Sequence, residues 1–489
     1  MLASPVIPYV FARSQGILVV GESGAGLEVL SRVSTTASAM AEVRRTLGRP
    51  LRVRTVADAD FDAALGEAYA EGYGPAAAIV DDAGQELDLS QLMHDLPAVE
   101  DLLDAQDEAP IIRMVNALLT QAVREGASDV HVEAFEKSSV VRFRRDGMMR
   151  DVAEPHRALH AALVSRIKIM ANLDIAERRL PQDGRISLRL GGRTIDVRVS
   201  TLPTAHGERA VLRLLDKDQT RLRLDALGMS PLIERRFARL LAEPHGIVLV
   251  SGPTGSGKTT TLYAALSGMD VRQRNIVTVE DPVEFDLPGI GQTQVNPRIA
   301  LDFARALRAI LRQDPDVIMI GEIRDVETAR IAVQASLTGH LVLATVHTND
   351  AVSAVTRLVD MGVEPFLLAS TLRGVLAQRL VRRLCPECRI GRAADAADRE
   401  ILGADCPPTL WQAAACPACT KNGYRGRTGI YELLTIDDEL TRLIHSGAAE
   451  HALRDAARRA GFVDLRSDGL RYLASGDTTP EELLRVTRD

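Results

Sequence analysis

The sequence predicts a multidomain α/β protein, and three observations predict it. Residues 246–266 run from a short apolar strand through a glycine-rich loop into a helix. From about residue 232 onward, apolar runs at 247–250, 276–279, 317–320 and 341–346 alternate with helical stretches, the rhythm of a parallel sheet covered by helices. Ahead of that, strand pairs and amphipathic helices describe a separate α+β domain. A chain of 489 residues has room for roughly two to four domains.

Composition narrows the class. Hydrophobic residues make up 46% of the chain, enough for sizeable cores, whereas aromatics are 3%, so base-stacking platforms are scarce. A net charge of −7 argues against broad electrostatic binding of nucleic acid. No charge-free apolar run approaches the ~18 residues of a spanning helix. The first residues, Met1-Leu2-Ala3-Ser4-Pro5, lack the basic and apolar regions of a signal peptide. A cytoplasmic location follows, with any membrane contact made through a partner. Four of the five cysteines form two C-x-x-C pairs, which in a cytosolic chain points to metal or redox chemistry rather than disulfides.

In chain order, residues 1–95 read as a small domain of helices and short strands. Gly21-Glu22-Ser23-Gly24-Ala25-Gly26 mimics a phosphate loop but has no Lys and no Ser or Thr at the required positions, so a plain strand–turn is expected. Helical stretches are expected at 37–47 and 57–70, and the acidic segment 100–108 reads as a linker. Pro110 opens a helix in which Ile111, Ile112, Val115, Leu118, Leu119, Ala122 and Val123 keep helical spacing, with Gly126 past its end. Val130–Glu133 and Val140–Phe143 form a predicted hairpin, with Asp146-Gly147 as a further turn and a helix at 159–171. Ile186–Leu190 and Ile195–Val199 alternate across Gly191-Gly192, a hairpin signal, and Val211–Leu215 makes another strand. Alternation places Arg198 on the face opposite Ile195, Val197 and Val199, and Arg213 opposite Leu212 and Leu214. Solvated arginines are the ordinary outcome of such a pattern, and an anionic ligand is the alternative.

The chemistry concentrates in the second half. Gly252-Pro253-Thr254-Gly255-Ser256-Gly257-Lys258-Thr259-Thr260 fits G-x-x-x-x-G-K-[ST] after a strand and before a helix. Its glycines let backbone N–H groups curl around phosphate oxygens, and the helix start adds partial positive charge. Lys258 is placed to reach the β- and γ-phosphates of a nucleotide and Thr259 to ligate Mg²⁺. Three later strands end in polar groups: Glu280-Asp281-Pro282-Val283-Glu284, Gly321-Glu322-Ile323-Arg324-Asp325 and His347-Thr348-Asn349-Asp350. Phosphoryl transfer to water needs a metal, an oriented water and cations for the developing charge. Glu322 suits the metal shell or the water, Glu284 the water, and His347 the γ-phosphate. His340 is as well explained by a structural role. Arg305, Arg308 and Arg312 fall on one stripe of a helix expected at 301–313. Cys385-Pro386-Glu387-Cys388 and Cys416-Pro417-Ala418-Cys419 suit a closed tetrahedral Zn²⁺ site, with free or redox thiols as the alternative because the 27-residue spacer is long. Four thiolates leave no open position, so such a zinc is structural, and Cys406 is a bystander.

With these motifs in place, a resemblance becomes specific. The phosphate loop, Thr278–Glu284, Arg312–Asp325 and Leu337–Asp350 resemble the Walker A, Asp box, Walker B and His box of the secretion ATPase superfamily. Ala127-Ser128-Asp129-Val130-His131-Val132-Glu133, Pro181-Gln182-Asp183-Gly184-Arg185 and the four cysteines resemble the E component of bacterial type II secretion. The resemblance covers about residues 101–489 and leaves the first 95 unmatched. It implies a RecA-like ATPase domain at 229–489 with a zinc-binding insertion at 384–420, a PAS-like α+β domain at 105–228 and an N-terminal adaptor domain at 1–95. It further implies a homo-hexamer that hydrolyses ATP to assemble a pseudopilus at the inner membrane. The adaptor is then expected on the cytoplasmic domain of the L component, with an inner-membrane platform protein and acidic lipid as further contacts and no nucleic acid. Arg198 and Arg213 map onto family arginines that reach the phosphates, and Arg308 and Arg312 onto others near the site or a neighbour. Which of Glu322 and Glu284 activates water is left open. A type IV pilus extension ATPase shares the boxes and the cysteines. From other classes come a RecA-like nucleic-acid motor and a scaffold that binds nucleotide without turnover.

Overall fold

The computed structural model of the chain describes residues 15–23, 26–47, 49–58, 109–190, 193–216 and 223–488, with the single positions 12, 60, 61 and 64. The Gly191-Gly192 turn, the acidic segment 100–108 and most of the helix expected at 57–70 lie outside the described residues. Two compact units are formed, Met1–Lys217 and Asp218–Asp489.

In the first unit, β1 (Ile17–Ser23) pairs antiparallel with β2 (Gly26–Arg32), so residues 21–23 of the mimic motif end one strand and Gly26 begins the next. Strand β2 pairs in parallel with β3 (Leu51–Val56), and helix α1 (Ala37–Leu47) lies in the crossover that a parallel pair requires. Leu18, Leu27, Val29, Val43 and Phe61 form the core of this module. Helix α2 (Ala109–Arg124) buries Ile111, Val115, Leu118, Leu119 and Ala122, as its spacing demands. Then come β4 (Asp129–Ala134), β5 (Ser139–Arg145), β6 (Met148–Ala153), α3 (His160–Met170), β7 (Gln182–Leu190), β8 (Arg193–Thr204) and β9 (Gly207–Asp216). Among the described residues these strands make a six-stranded antiparallel sheet in the order β6-β5-β4-β9-β8-β7. One face packs Val132, Phe143, Leu188, Val197 and Leu212 against both helices. Strand β7 begins four residues before the predicted start at Ile186, because Gln182–Arg185 pair with Arg198–Thr201.

The second unit opens with a 3₁₀ turn (Leu224–Leu227) and α4 (Pro231–Leu241), whose first turn is capped by the Ser230 hydroxyl accepting from Ile233 N–H. Then follow β10 (Gly246–Ser251), α5 (Lys258–Ser267), β11 (Ile276–Glu280), β12 (Gly291–Gln294) and α6 (Phe303–Ile310). Next are β13 (Val317–Ile320), α7 (Val326–Leu337), β14 (Leu341–Val346), α8 (Ala351–Asp360), α9 (Pro365–Thr371) and β15 (Leu372–Leu384). A small insertion holds β16 (Ile390–Ala393), α10 (Ala396–Leu402) and β17 (Thr409–Gln412). The chain then returns as β18 (Tyr424–Thr435) and ends in α11 (Asp438–His445), α12 (Glu450–Arg459), α13 (Leu465–Ala474) and α14 (Pro480–Thr487).

Among the described residues the main sheet has the order β12-β11-β13-β14-β10-β15-β18, parallel except for the β15–β18 pair. Strands β10, β13 and β14 are buried along their whole length. That follows from helices on both faces of a parallel sheet and explains their unbroken apolar runs. Ile247 and Leu249 face one core with α6, α7 and α8, while Val248 and Val250 face the other with α4 and α5. Helix α6 is shorter than the predicted 301–313. Asp302 caps it, and it stops before Asp314, which lies at φ 51 ahead of Pro315. Arg312 is therefore past its end.

Candidate active site and metal centre

The parallel register brings four strand ends to one edge. Ser251 lies opposite Val346, Ile320 opposite Ala344, and Val279 opposite Ile320. In such sheets ligands bind outside these carboxyl ends. The phosphate loop leaves β10 there. Gly252 has φ 145, and a Cβ on it would lie 2.6 Å from the Gln378 carbonyl oxygen, so no other residue fits. Thr254 and Gly255 lie at the crown of the loop, and Ser256 and Lys258 are buried. Helix α5 starts at Lys258, which aims its first-turn N–H groups outward beside Thr259 and Thr260. The Lys258 ammonium donates to Gly252 O at 2.8 Å and Pro253 O at 3.1 Å. Burial pulls its pKa down to about 8, with Arg379 adding to the fall and Glu322 opposing it. Phosphate oxygens entering the loop would supply the negative charge this ammonium lacks.

Glu322 follows β13 and has a neighbour on each side. Arg324 Nη2 pairs with Oε1, and His347 Nε2 lies 3.5 Å from Oε2. The His347 imidazole is held below its ordinary range by burial and by Lys258, against the pull of Glu322. Lys258, Glu322 and His347, predicted from three separate segments, thus sit in one electrostatic group. Glu284 is placed differently. Its backbone N–H donates to the Tyr263 hydroxyl at 3.2 Å, and Tyr263 in turn hydrogen-bonds the buried Glu280. Thr278 and Gln292 donate to the other Glu280 oxygen at 2.5 and 3.1 Å. Glu280 is thereby a buried anchor tying α5 to the strand-end loop. His340 bonds the Ala335 carbonyl through Nδ1 at 2.8 Å, which is the structural role. Arg308 pairs with Glu327, and Arg312 donates to Arg308 O at 2.7 Å.

Two residues that sequence reasoning missed lie on β15. Gln378 is 1% exposed; its amide donates to Ser256 O at 2.5 Å and accepts from the Thr261 hydroxyl at 2.7 Å. Arg379 donates to the Asn349 side-chain oxygen at 3.1 Å and so touches the segment after β14. The signal available was a glutamine closing the apolar run Val375-Leu376-Ala377, which a buried strand tolerates when the amide is fully bonded.

In the first unit, Arg198 and Arg213 are direct cross-strand partners on β8 and β9. Arg185 lies opposite Arg198 and Asp129 opposite Arg213, so arginines from three strands line up across the polar face of the sheet. Arg213 Nε donates to Asp129 Oδ1 at 2.9 Å. Glu133 pairs with Arg209 at 2.7 Å and also with Arg142. The Asp129–Glu133 motif therefore supplies carboxylates beside these guanidiniums, with Val130 and Val132 turned into the core.

The sulfur atoms of Cys385, Cys388, Cys416 and Cys419 all lie within 4.8 Å of one another. Both C-x-x-C segments turn tightly: Arg389 N–H donates to Cys385 O at 3.1 Å and Lys421 N–H to Cys416 O at 2.9 Å. Gly423 N–H donates to Cys419 Sγ at 3.2 Å. Burial disfavours the Cys419 thiolate, but N–H donors from Cys416 and Gly423 outweigh it and lower its pKa. Four converging soft sulfur donors fit a closed tetrahedral metal site. Thr259 and Glu322 offer hard oxygen donors of the kind Mg²⁺ takes.

Residues 104–485 match the family described as Type II/IV secretion system protein. The chain belongs to that family. Residues 6–69 match a second family model, a domain of GSPII protein E. The chain is 63% identical over 485 residues to Type II secretion system protein HxcR of Pseudomonas aeruginosa, covering 99% of each. It is 53% identical over 487 residues to Type II secretion system ATPase E of Vibrio cholerae, covering 99% of this chain and 97% of that one. Among solved structures, the Legionella pneumophila ATPase DotB superposes at a TM-score of 0.57 with 20% identity, covering 76% of this chain and 95% of that one. The pilus retraction motor PilT with bound ADP gives 0.53 at 25% identity, covering 76% and 96%. The protein is a member of the type II secretion ATPases, and its α/β fold is that of the secretion and pilus ATPases. Among the described residues no helix is long and apolar enough to cross a membrane.

Proposed function

We propose that this type II secretion ATPase works as a homo-hexamer at the inner membrane, hydrolysing ATP to drive pseudopilus assembly. What carries the reading is the meeting of Lys258, Glu322 and His347 at the phosphate-loop edge of the sheet, in a chain 63% identical over nearly its full length to a type II secretion protein. In this reading residues 252–260 cradle the phosphates through backbone N–H groups and the start of α5. Lys258 swings from the loop carbonyls to the β- and γ-phosphates. Glu322, oriented by Arg324, holds either the attacking water or the metal shell, and Glu284 is the second candidate for the water. His347 stays neutral and hydrogen-bonds the γ-phosphate. Thr259 and Glu322 would hold Mg²⁺, which neutralises phosphate charge when bound. Arg198 and Arg213 take up the charge that develops during transfer.

The domain reading is an adaptor at 1–95, a PAS-like domain at 105–228, an ATPase domain at 229–489 and a zinc-binding insertion at 384–420. The adaptor is proposed to dock on the cytoplasmic domain of the L component, with the platform protein and acidic lipid as further contacts. The match of residues 6–69 to a GSPII protein E domain favours this reading over pilus extension. Hydrolysis is measured on the full chain alone, with the partner's cytoplasmic domain and acidic lipid, and with DNA or RNA. The expected result is stimulation by the partner, none by nucleic acid, and a loss of about a hundredfold or more in Lys258→Ala. Turnover unchanged in Lys258→Ala would overturn the site; stimulation by nucleic acid would overturn the partner assignment.

A further inference from the structure

The phosphate loop is held from beneath by a side chain whose cross-strand partner holds a different part of the chain. Gln378 on β15 and Tyr431 on β18 face each other directly in the antiparallel register. Gln378 grips the loop at Ser256 O and the first turns of α5 at Thr261. Tyr431 is 2% exposed, and its hydroxyl, beside Thr261, donates to Leu227 O at 3.0 Å. Leu227 lies in the 3₁₀ turn by which the chain enters the second unit. The neighbouring Gly228 is clamped as well. Its carbonyl accepts from the Tyr472 hydroxyl at 2.7 Å and from Arg471, and at φ 84 a Cβ there would collide with the Tyr472 hydroxyl. Leu224 and Leu227 pack on the core that contains Leu262, Tyr263 and Leu266 of α5. The entering segment therefore rests on the same helix that the phosphate loop begins.

We propose that Gln378 and Tyr431 are positioning residues that couple the phosphate loop to the entering segment 224–230. The path is short: hydrogen bonds join the Ser256 carbonyl, the Gln378 amide and the Thr261 hydroxyl, and Tyr431, the cross-strand neighbour of Gln378 with its hydroxyl beside Thr261, bonds the Leu227 carbonyl. When phosphates draw Lys258 away from Gly252 and Pro253, the loop loses two internal hydrogen bonds and must settle on Gln378. A shift of Thr261 is then felt at the Tyr431 hydroxyl and at the turn that leads to the arginine-bearing unit. The buried hydrogen bonds on either side of the Thr261–Tyr431 contact resist being broken, because breaking one strands a polar group away from water.

The inference rests on the ATPase reading above, and two variants of the full chain separate the two. Tyr431→Phe removes one oxygen and leaves Gln378 in place; Gln378→Met removes both loop contacts at similar volume. Hydrolysis is followed alongside amide hydrogen exchange of residues 224–230, with and without ADP. In the wild type ADP changes exchange in that segment. In Tyr431→Phe the ADP response of 224–230 is lost and kcat falls about tenfold, while KM stays within about twofold. In Gln378→Met KM rises as well, because the loop itself is loosened. A merely structural tyrosine would lower the melting temperature and leave the ADP response intact; that result, or a wild-type segment indifferent to ADP, overturns the coupling. A wild type without hydrolysis overturns the ATPase reading instead.

Discussion

Lys258 shows how one residue is held ready by being uncomfortable. Its ammonium is buried against two carbonyl oxygens, and burial brings its pKa down from 10.5 to about 8. Between about pH 8 and 10.5 the unfolded chain binds more protons at this site than the native one, so stability rises with pH across that window. Below about pH 8 both states are protonated and the full cost of burying the charge is present. Lys258→Met is therefore expected to melt a few degrees higher than the wild type at pH 7 without nucleotide, with the difference vanishing above about pH 10.5. Scanning calorimetry at the two pH values checks this. Glu322 is a second residue whose role depends on neighbours: Arg324 pairs with one of its oxygens and His347 lies 3.5 Å from the other.

Elements differ in how plainly the sequence announces them. Strands β10, β13 and β14 are short apolar runs between helices, and parallel burial on both faces makes such runs continuous. Strands β15 and β18 gave no such signal, since Arg379, Arg382 and Arg427 interrupt them and the insertion from Cys385 to Gly423 separates the partners. Their pairing is non-local, and local periodicity cannot register it. Yet β15 joins the phosphate-loop support at Gln378 to the cysteine cluster at Cys385. In the proposed zinc site, removing one sulfur donor would leave the other three without the fourth corner of a tetrahedron. Cys385→Ser is expected to lose bound zinc and to melt several degrees lower, measured by metal analysis and thermal unfolding. Unchanged zinc content and melting would remove the structural-metal reading.

On the scale of the whole molecule, the arginine row and the phosphate loop belong to separate units, 1–217 and 218–489. In the proposed reaction, loop binding and charge neutralisation are thus separable. Arg198→Ala is expected to lower kcat by about a hundredfold while KM changes less than about threefold, because an interaction made in the transition state is removed. Steady-state kinetics reads this, and normal turnover would dismiss the arginine from the mechanism.

The sequence by itself determined the phosphate loop, the parallel strands, the cysteine pairs and the polar groups at each strand end. Those features depend on local spacing: G-x-x-x-x-G-K-T, apolar runs of strand length, two C-x-x-C turns. It also put Arg198 and Arg213 outward from their sheet by simple alternation. Only the tertiary structure decided that Glu280 is an anchor and Glu284 is tied through Tyr263, that His340 is structural, and that Gln378 and Tyr431 stand opposite each other beneath the loop. The physical reason is common to all of these. Hydrogen-bond partners are chosen by sheet order, register and helix placement, and those arise from packing the whole sheet between its helices.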